Sequence, residues 1–134
     1  MSEENVEVVR RIYAEWGRGN MAAGVELLDS EIVFRSFMPD ANETVVANGA
    51  DEIEAFMREF LRPWRDYRLI GEEFREIEKD KVLVSGHQAA TGRMSGVAVE
   101  YPMCSVWTFR GGRVVSLVFD PDSQTALEVA GRSG

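Results

Sequence analysis

His87, the one histidine of the chain, is the residue best suited to proton transfer. It lies in a predicted strand over residues 82–91 whose other side chains are mostly small or apolar. Because an unperturbed imidazole titrates near neutral pH, a histidine that faces a pocket can act as a general acid or base. A shift of one residue in the orientation of the strand would turn His87 outward instead. We predict a catalytic His87 and keep a solvent-facing or internally bonded histidine as the alternative.

Two aspartates flank Pro121 directly after a predicted strand over residues 113–120. The sequence Asp-Pro-Asp-Ser is typical of a strand end followed by a helix cap, and we favour this capping role for Asp122. Asp120 is the better candidate for chemistry, because its position at the strand end would let it orient or assist a catalytic histidine. For Asp120 the alternative is a turn residue before the helix, with Asp122 or Ser123 as the N-cap.

A third set of candidates alternates along a predicted strand over residues 97–109. Tyr101, Met103, Ser105 and Trp107 share one face of this strand, since successive side chains point to opposite faces. On a concave face they would form a wall with two hydroxyl groups among apolar side chains, which suits a planar hydrophobic ligand. Simple packing against the helices is the alternative. Large side chains elsewhere complete the predicted ligand-binding set, although each of them is also a candidate for the core: Tyr13, Trp16, Phe34, Phe60 and Trp64.

The elements that must position these residues follow from hydrophobic periodicity. Apolar residues at three- and four-residue spacing predict helices over residues 3–18, 20–29 and 50–64. A β-branched and aromatic run predicts a first strand over residues 32–37, and Pro39 would stop it. Residues 38–49 read as a loop that could cover a pocket mouth.

The second half of the chain is dominated by strands. Alternation begins near Tyr67, and Glu78-Lys79-Asp80-Lys81 predicts a hairpin turn into the strand at residues 82–91. The strands at 97–109 and 113–120 are joined by a Gly-Gly turn, and a last helical turn is expected near residues 127–130. Helices followed by an antiparallel meander are an α+β pattern.

Composition limits the classes of function. The 134 residues, 45% of them apolar, suit a single domain over residues 1–134. A formal charge of −8 disfavours nucleic acid and anionic membrane surfaces as partners. No apolar run approaches a membrane span, and the acidic start of the chain is unlike a secretion signal. We expect a cytoplasmic protein.

Neither a metal nor a cofactor is expected. A lone histidine offers no second imidazole, and the single Cys104 cannot form a thiolate cluster or an internal disulfide. The glycines lie in strand and turn contexts rather than in a phosphate-binding loop. We expect Cys104 to be a small buried apolar residue.

Motifs at both ends of the chain carry a resemblance to a family. The motifs are Glu4-Asn5-Val6-Glu7-Val8-Val9-Arg10-Arg11-Ile12-Tyr13, Gly19-Asn20, Leu27-Leu28-Asp29, Val106-Trp107-Thr108-Phe109-Arg110-Gly111-Gly112 and Ala126-Leu127-Glu128-Val129-Ala130-Gly131. In their order and spacing they resemble SnoaL-like domains of the nuclear transport factor 2-like superfamily over nearly the whole chain. The resemblance implies a cone-shaped α+β barrel, with N-terminal helices packed on a strongly curved, mainly antiparallel sheet around a pocket. It also implies a homodimer.

The same resemblance argues against one activity of the superfamily. Ketosteroid isomerases of this fold need a tyrosine on the first helix, a carboxylate base on the first strand and a second acid before the Gly-Gly turn. The matching positions hold Ile12, Ser36 and Ser105. Ser36 and Ser105 could at most orient a ligand, because neither is a base.

Two other activities match only in part. Polyketide cyclases of the SnoaL type carry an aspartate after the last strand, matched here by Asp122 or Asp120, but their histidine-tryptophan pair is replaced by Leu117-Val118. Epoxide hydrolases of this fold use two aspartates and an arginine, for which Asp120, Asp122 and Arg35 are candidates.

Two functions therefore stay open at the level of sequence. The first is a cofactor-free acid/base enzyme of cyclase, isomerase or hydrolase type that acts on a small hydrophobic molecule through His87 and Asp120. The second is a non-catalytic module of the same fold that binds a small ligand or dimerises.

Overall fold

A computed structural model describes residues 2–38 and 42–133. Its helices are α1 (Ser2–Trp16), α2 (Gly49–Leu61) and α3 (Ser123–Ser133), with a short 3₁₀ turn at Val25–Leu27. Its strands are β1 (Leu28–Met38), β2 (Glu43–Asn48), β3 (Trp64–Glu78), β4 (Lys81–Gly92), β5 (Ala98–Arg110) and β6 (Arg113–Asp120).

The six strands form one sheet in the order β2-β1-β6-β5-β4-β3. Strands β3 to β6 are an antiparallel meander, β1 pairs with β2 antiparallel, and β1 pairs with β6 in parallel. Register shifts interrupt β3 against β4 and β5 against β6, and such irregularities bend a sheet. The predicted α+β class and the mainly antiparallel sheet are confirmed, and the sheet is not closed into a complete barrel.

Each face of the sheet carries its own apolar cluster. The larger cluster lies on the inner face, where side chains of α1 pack against β1, β3, β4, β5 and β6. The smaller one lies on the outer face, where Ala126 and Ala130 of α3 pack on Leu83, Val106 and Val118. Strands β4, β5 and β6 are therefore apolar on both faces in their central parts.

The predicted first helix is confirmed as α1. Val9, Ile12, Tyr13 and Trp16 are buried at the three- and four-residue spacing of one helical stripe. This stripe faces the sheet, and the charged residues between its members point to solvent.

The helix predicted over residues 20–29 is wrong. Residues 21–24 form turns, only Val25–Leu27 make a 3₁₀ turn, and β1 already begins at Leu28. Gly24 adopts a left-handed conformation (φ 92°), and a Cβ atom there would come within 2.9 Å of the Ile12 side chain. A glycine in this conformation ends a helical run, so the spacing of Met21, Val25 and Leu28 alone was misleading.

The loop predicted over residues 38–49 is also wrong in part. Residues 43–48 form β2, and Ala47 of β2 is buried opposite Phe34. The β-branched pair Val45-Val46 was the available signal for a strand. The predicted stop at Pro39 lies outside the described residues, although β1 ends at Met38.

The remaining predictions agree with the structure to within a few residues. The strands at 82–91, 97–109 and 113–120 correspond to β4, β5 and β6, and the hairpin turn before β4 is present. The last helical turn is longer than predicted, because α3 already begins at Ser123. None of the described helices is both long and apolar enough to cross a membrane.

Candidate functional site

A cavity of about 410 Å³ lies between α2 and the inner face of the sheet. Trp16 of α1 and the segment from Met21 to Leu28 close one side of it. The sheet contributes side chains from five strands, and these are almost all apolar. They are Phe34, Ser36, Phe37, Met38, Tyr67, Leu69, Gln88, Met103, Trp107, Leu117 and Phe119.

The roof of the cavity is the apolar face of α2. Ile53, Phe56, Met57, Phe60 and Leu61 line the cavity at helical spacing. No residue of α2 is fully buried, because this face borders the cavity, although Ile53 and Phe56 pack in part against the inner cluster.

Beneath the cavity lies a packed aromatic cluster made of Tyr13, Trp16, Phe74 and Trp107, which we call the floor; Trp16 and Trp107 are its members that line the cavity. The ring of Tyr13 lies 4.9 Å from that of Trp16 and 5.5 Å from that of Phe74, and the rings of Trp16 and Trp107 are 5.6 Å apart. Tyr13, Trp16 and Trp107 are buried, so this part of the inner face is filled.

Ser105 ties this floor together below the cavity. Its Oγ accepts a hydrogen bond from Trp107 Nε1 at 2.9 Å and lies 2.6 Å from the Tyr13 hydroxyl. Burial raises the pKa of Tyr13, which keeps its phenol protonated. Neither Tyr13 nor Ser105 lines the cavity.

The polar part of the cavity wall is a pair on neighbouring strands. The Tyr67 hydroxyl on β3 donates to Gln88 Oε1 on β4 at 2.5 Å. Burial, with a smaller contribution from Tyr13, raises the pKa of Tyr67, so this group stays neutral. Ser36 on β1 adds a hydroxyl on another part of the wall.

Charged side chains occur among the described lining residues only on the roof helix. Glu54 and Arg58 form an ion pair at 3.3 Å and are largely exposed. The wall formed by the sheet carries neither a carboxylate nor an imidazole in the residues described. The cavity can therefore accept an apolar molecule and offer it neutral hydrogen-bonding groups.

The structure brings together about half of the predicted ligand-binding residues. Trp16, Phe34, Phe60, Met103 and Trp107 all line the cavity. Tyr13 and Ser105 lie in the floor beneath it, while Trp64 at the start of β3 and Tyr101, which is 50% exposed, lie outside the lining. Tyr101 shares the inner face with Met103 and lies opposite Gln88 on β4, but its side chain does not line the cavity.

His87 lies on the outer face of β4, away from the cavity. Gln88 lines the cavity, and adjacent side chains on a strand point to opposite faces. The imidazole instead contacts two largely exposed carboxylates, with Nε2 3.1 Å from Glu100 and Nδ1 3.5 Å from Glu72. The structure therefore shows the alternative stated above, in which the orientation of the strand turns His87 outward.

Asp120 is also on the outer face, opposite Cys104 of β5. It is buried, and its Oδ1 accepts a hydrogen bond from the Asp122 backbone N–H at 2.9 Å. Asp122 Oδ2 accepts hydrogen bonds from the backbone and hydroxyl of Thr125, which lower the pKa of Asp122. Asp122 thus caps α3, as favoured above. Because His87 and Asp120 both lie on the outer face of the sheet, neither residue of the acid/base hypothesis lines the cavity.

Sequence reasoning missed Tyr67 and Gln88 as site residues. Gln88 follows His87 directly, so the uncertainty of one residue in strand orientation decided between them. Alternation gave no help, because Leu83 and Val84 are both buried, one under α3 and the other in the inner cluster. The alternating pattern of the sequence begins near Tyr67, but no sequence signal marks this residue as part of a site.

A family model described as a SnoaL-like domain matches residues 9–117 of the chain. The chain belongs to this family. The predicted resemblance is thereby confirmed, and the match covers the second half of α1, all of α2, strands β1 to β5 and part of β6, but not α3. A comparison with curated protein sequences gave no match.

Solved structures agree with this assignment. A nuclear transport factor 2-like protein of unknown function from Burkholderia pseudomallei K96243 has 23% identity and a TM-score of 0.75, covering 92% of this chain and 95% of that one. AclR from Streptomyces galilaeus, which has been proposed to be a hydroxylase, has 18% identity and a TM-score of 0.72, covering 98% of both chains.

A protein from Jannaschia sp. CCS1 that has been proposed to be a SnoaL-like polyketide cyclase has 21% identity and a TM-score of 0.72. The match covers 96% of this chain and 92% of that one. At these identities the likeness establishes a shared fold, and the function must be argued from the cavity.

Proposed function

We propose that this SnoaL-like protein binds one small, neutral, hydrophobic molecule in the cavity between α2 and the sheet. The observation that carries the proposal is a cavity of about 410 Å³ whose wall is almost entirely apolar. Ligand pockets in proteins typically enclose about 300–1,000 Å³ and combine apolar walls with a few polar groups. A molecule of two or three fused rings is a suitable size.

Binding is favoured over proton transfer because of which groups line the cavity. A general base must reach the proton that it removes, and His87 and Asp120 are both on the opposite face of the sheet. The polar groups that line the wall, Ser36, Tyr67 and Gln88, are neutral donors and acceptors. The relative proposed to be a polyketide cyclase makes ring-bearing molecules the first class to test.

Isothermal titration calorimetry with naphthalene tests this proposal on two matched variants. Met103→Trp places an indole inside the cavity, because Met103 is a buried residue of the cavity wall. Met94→Trp makes the same change at a fully exposed position outside the cavity. We expect wild-type protein and Met94→Trp to bind one equivalent per chain, and Met103→Trp to bind at least about tenfold more weakly.

Thermal unfolding must first show that both variants fold. Absence of binding to the wild-type protein, or equal affinity in wild-type and Met103→Trp, would contradict the proposal. The expected homodimer remains a separate prediction, which light scattering measures directly.

A further inference from the structure

The Tyr67–Gln88 pair has hydrogen-bonding capacity that the protein does not use. Tyr67 donates its only hydroxyl proton to Gln88 Oε1, so the phenol oxygen keeps its acceptor lone pairs. Gln88 Nε2 carries two N–H donors. Among the residues that the structure describes, neither the phenol oxygen nor Nε2 has a further side-chain partner, and neither is sealed away from the cavity.

The surroundings of this pair make the unused capacity selective. The ring of Phe60 meets the Tyr67 ring edge-on at 5.3 Å, and Leu69 lies beside the pair on the same wall. Hydrogen bonds gain strength in such an apolar environment, and a polar group left unpaired there is costly. A hydrocarbon that covered the pair would remove both polar groups from solvent and return no hydrogen bond.

We propose that Tyr67 and Gln88 recognise a hydroxyl group on the ring system of the ligand. A hydroxyl is the simplest neutral group that fits both free functions, because it can donate to the Tyr67 oxygen and accept from Gln88 Nε2. A carbonyl could only accept, and would leave the Tyr67 oxygen without a donor. This inference rests on the proposed function, and it specifies the ligand as a hydroxylated polycyclic molecule, with a phenol as the first case.

Calorimetric titration of 2-naphthol against naphthalene tests the inference, since the two ring systems differ only in the hydroxyl group. We expect the wild-type protein to bind 2-naphthol about tenfold more tightly, the effect of one or two net hydrogen bonds. The double variant Tyr67→Phe/Gln88→Leu should bind both compounds equally, and each single variant should show a smaller preference than wild-type. Gln124→Leu is the matched control for the glutamine change, because Gln124 is exposed on α3 and lies outside the cavity lining, and it should keep the full preference.

The outcomes separate this inference from the proposed function. If the wild-type protein binds both compounds with equal affinity, the hydroxyl recognition is wrong and the proposed function stands. If neither compound binds, both are wrong. A double variant that folds, binds naphthalene and keeps the tenfold preference would assign recognition to other residues and overturn the roles of Tyr67 and Gln88.

Discussion

Two helices cover the inner face of this sheet, and they differ in how they pack. The stripe of α1 is buried against the sheet and joins an aromatic floor whose rings contact one another. The apolar face of α2 is just as regular, yet none of its residues is fully buried. Amphipathic periodicity therefore shows which face of a helix turns inward, but not whether packed side chains or a cavity lie beneath it.

The difference between floor and roof separates stability from function in this fold. The floor gains dispersion contacts and a satisfied network of Tyr13, Ser105 and Trp107. The side chains of the roof lack such contacts where they face the cavity, and a bound ligand would supply them. We expect the floor to dominate folding and the roof to respond to ligand.

The largest expected effect is on the stability of the floor. Trp107→Ala should lower the free energy of unfolding by about 3–5 kcal/mol, because it empties a fully buried position and removes a donor from Ser105. Phe60→Ala on the roof should cost only about 1–2 kcal/mol, since that ring is half-buried. Urea unfolding measures the free energy of unfolding of both variants. Equal losses of this free energy would contradict the distinction between floor and roof.

A smaller effect is expected in the dynamics of the two helices. Amide hydrogens of α2 should exchange faster than those of α1, because few buried contacts oppose local opening of α2. Naphthalene at about 100 times its Kd should slow exchange in α2 by up to about 100-fold if opening requires release of the ligand. Hydrogen exchange with mass spectrometry follows both helices in one experiment. Slower exchange in α2 than in α1 without ligand would contradict the comparison.

The smallest effect is expected on the outer face. His87→Ala should leave naphthalene affinity unchanged and lower stability by less than about 1 kcal/mol, because its contacts are with largely exposed carboxylates. Calorimetry and thermal unfolding check the two parts. Loss of ligand binding in a folded His87→Ala variant would show that the outer face takes part in the site.

The fold was predictable where local pattern and tertiary packing agree. The stripe from Val9 to Trp16 and the alternation within residues 97–109 both matched the observed elements. The pattern failed at Gly24, where backbone conformation overrides helical spacing, and at Val45-Val46, where a short edge strand gives a weak signal.

The site was less predictable for a physical reason. Both faces of β4 are apolar in the sequence, because α3 covers the outer face and α1 the inner face. The choice between His87 and Gln88 depends on orientation, which only the complete sheet determines. The most reactive residue of the strand was therefore predicted in place of its neutral neighbour.

The methionine methyl groups provide the most direct test that the cavity binds a ligand. Met21, Met38, Met57 and Met103 line the cavity, while Met94 is 100% exposed outside it. With ¹³C-methyl-labelled methionine, titration of 2-naphthol should shift the NMR signals of these four residues with one common Kd and leave that of Met94 unchanged. Shifts at Met94 without shifts at the four lining residues, or no shifts at all, would contradict a ligand-binding cavity.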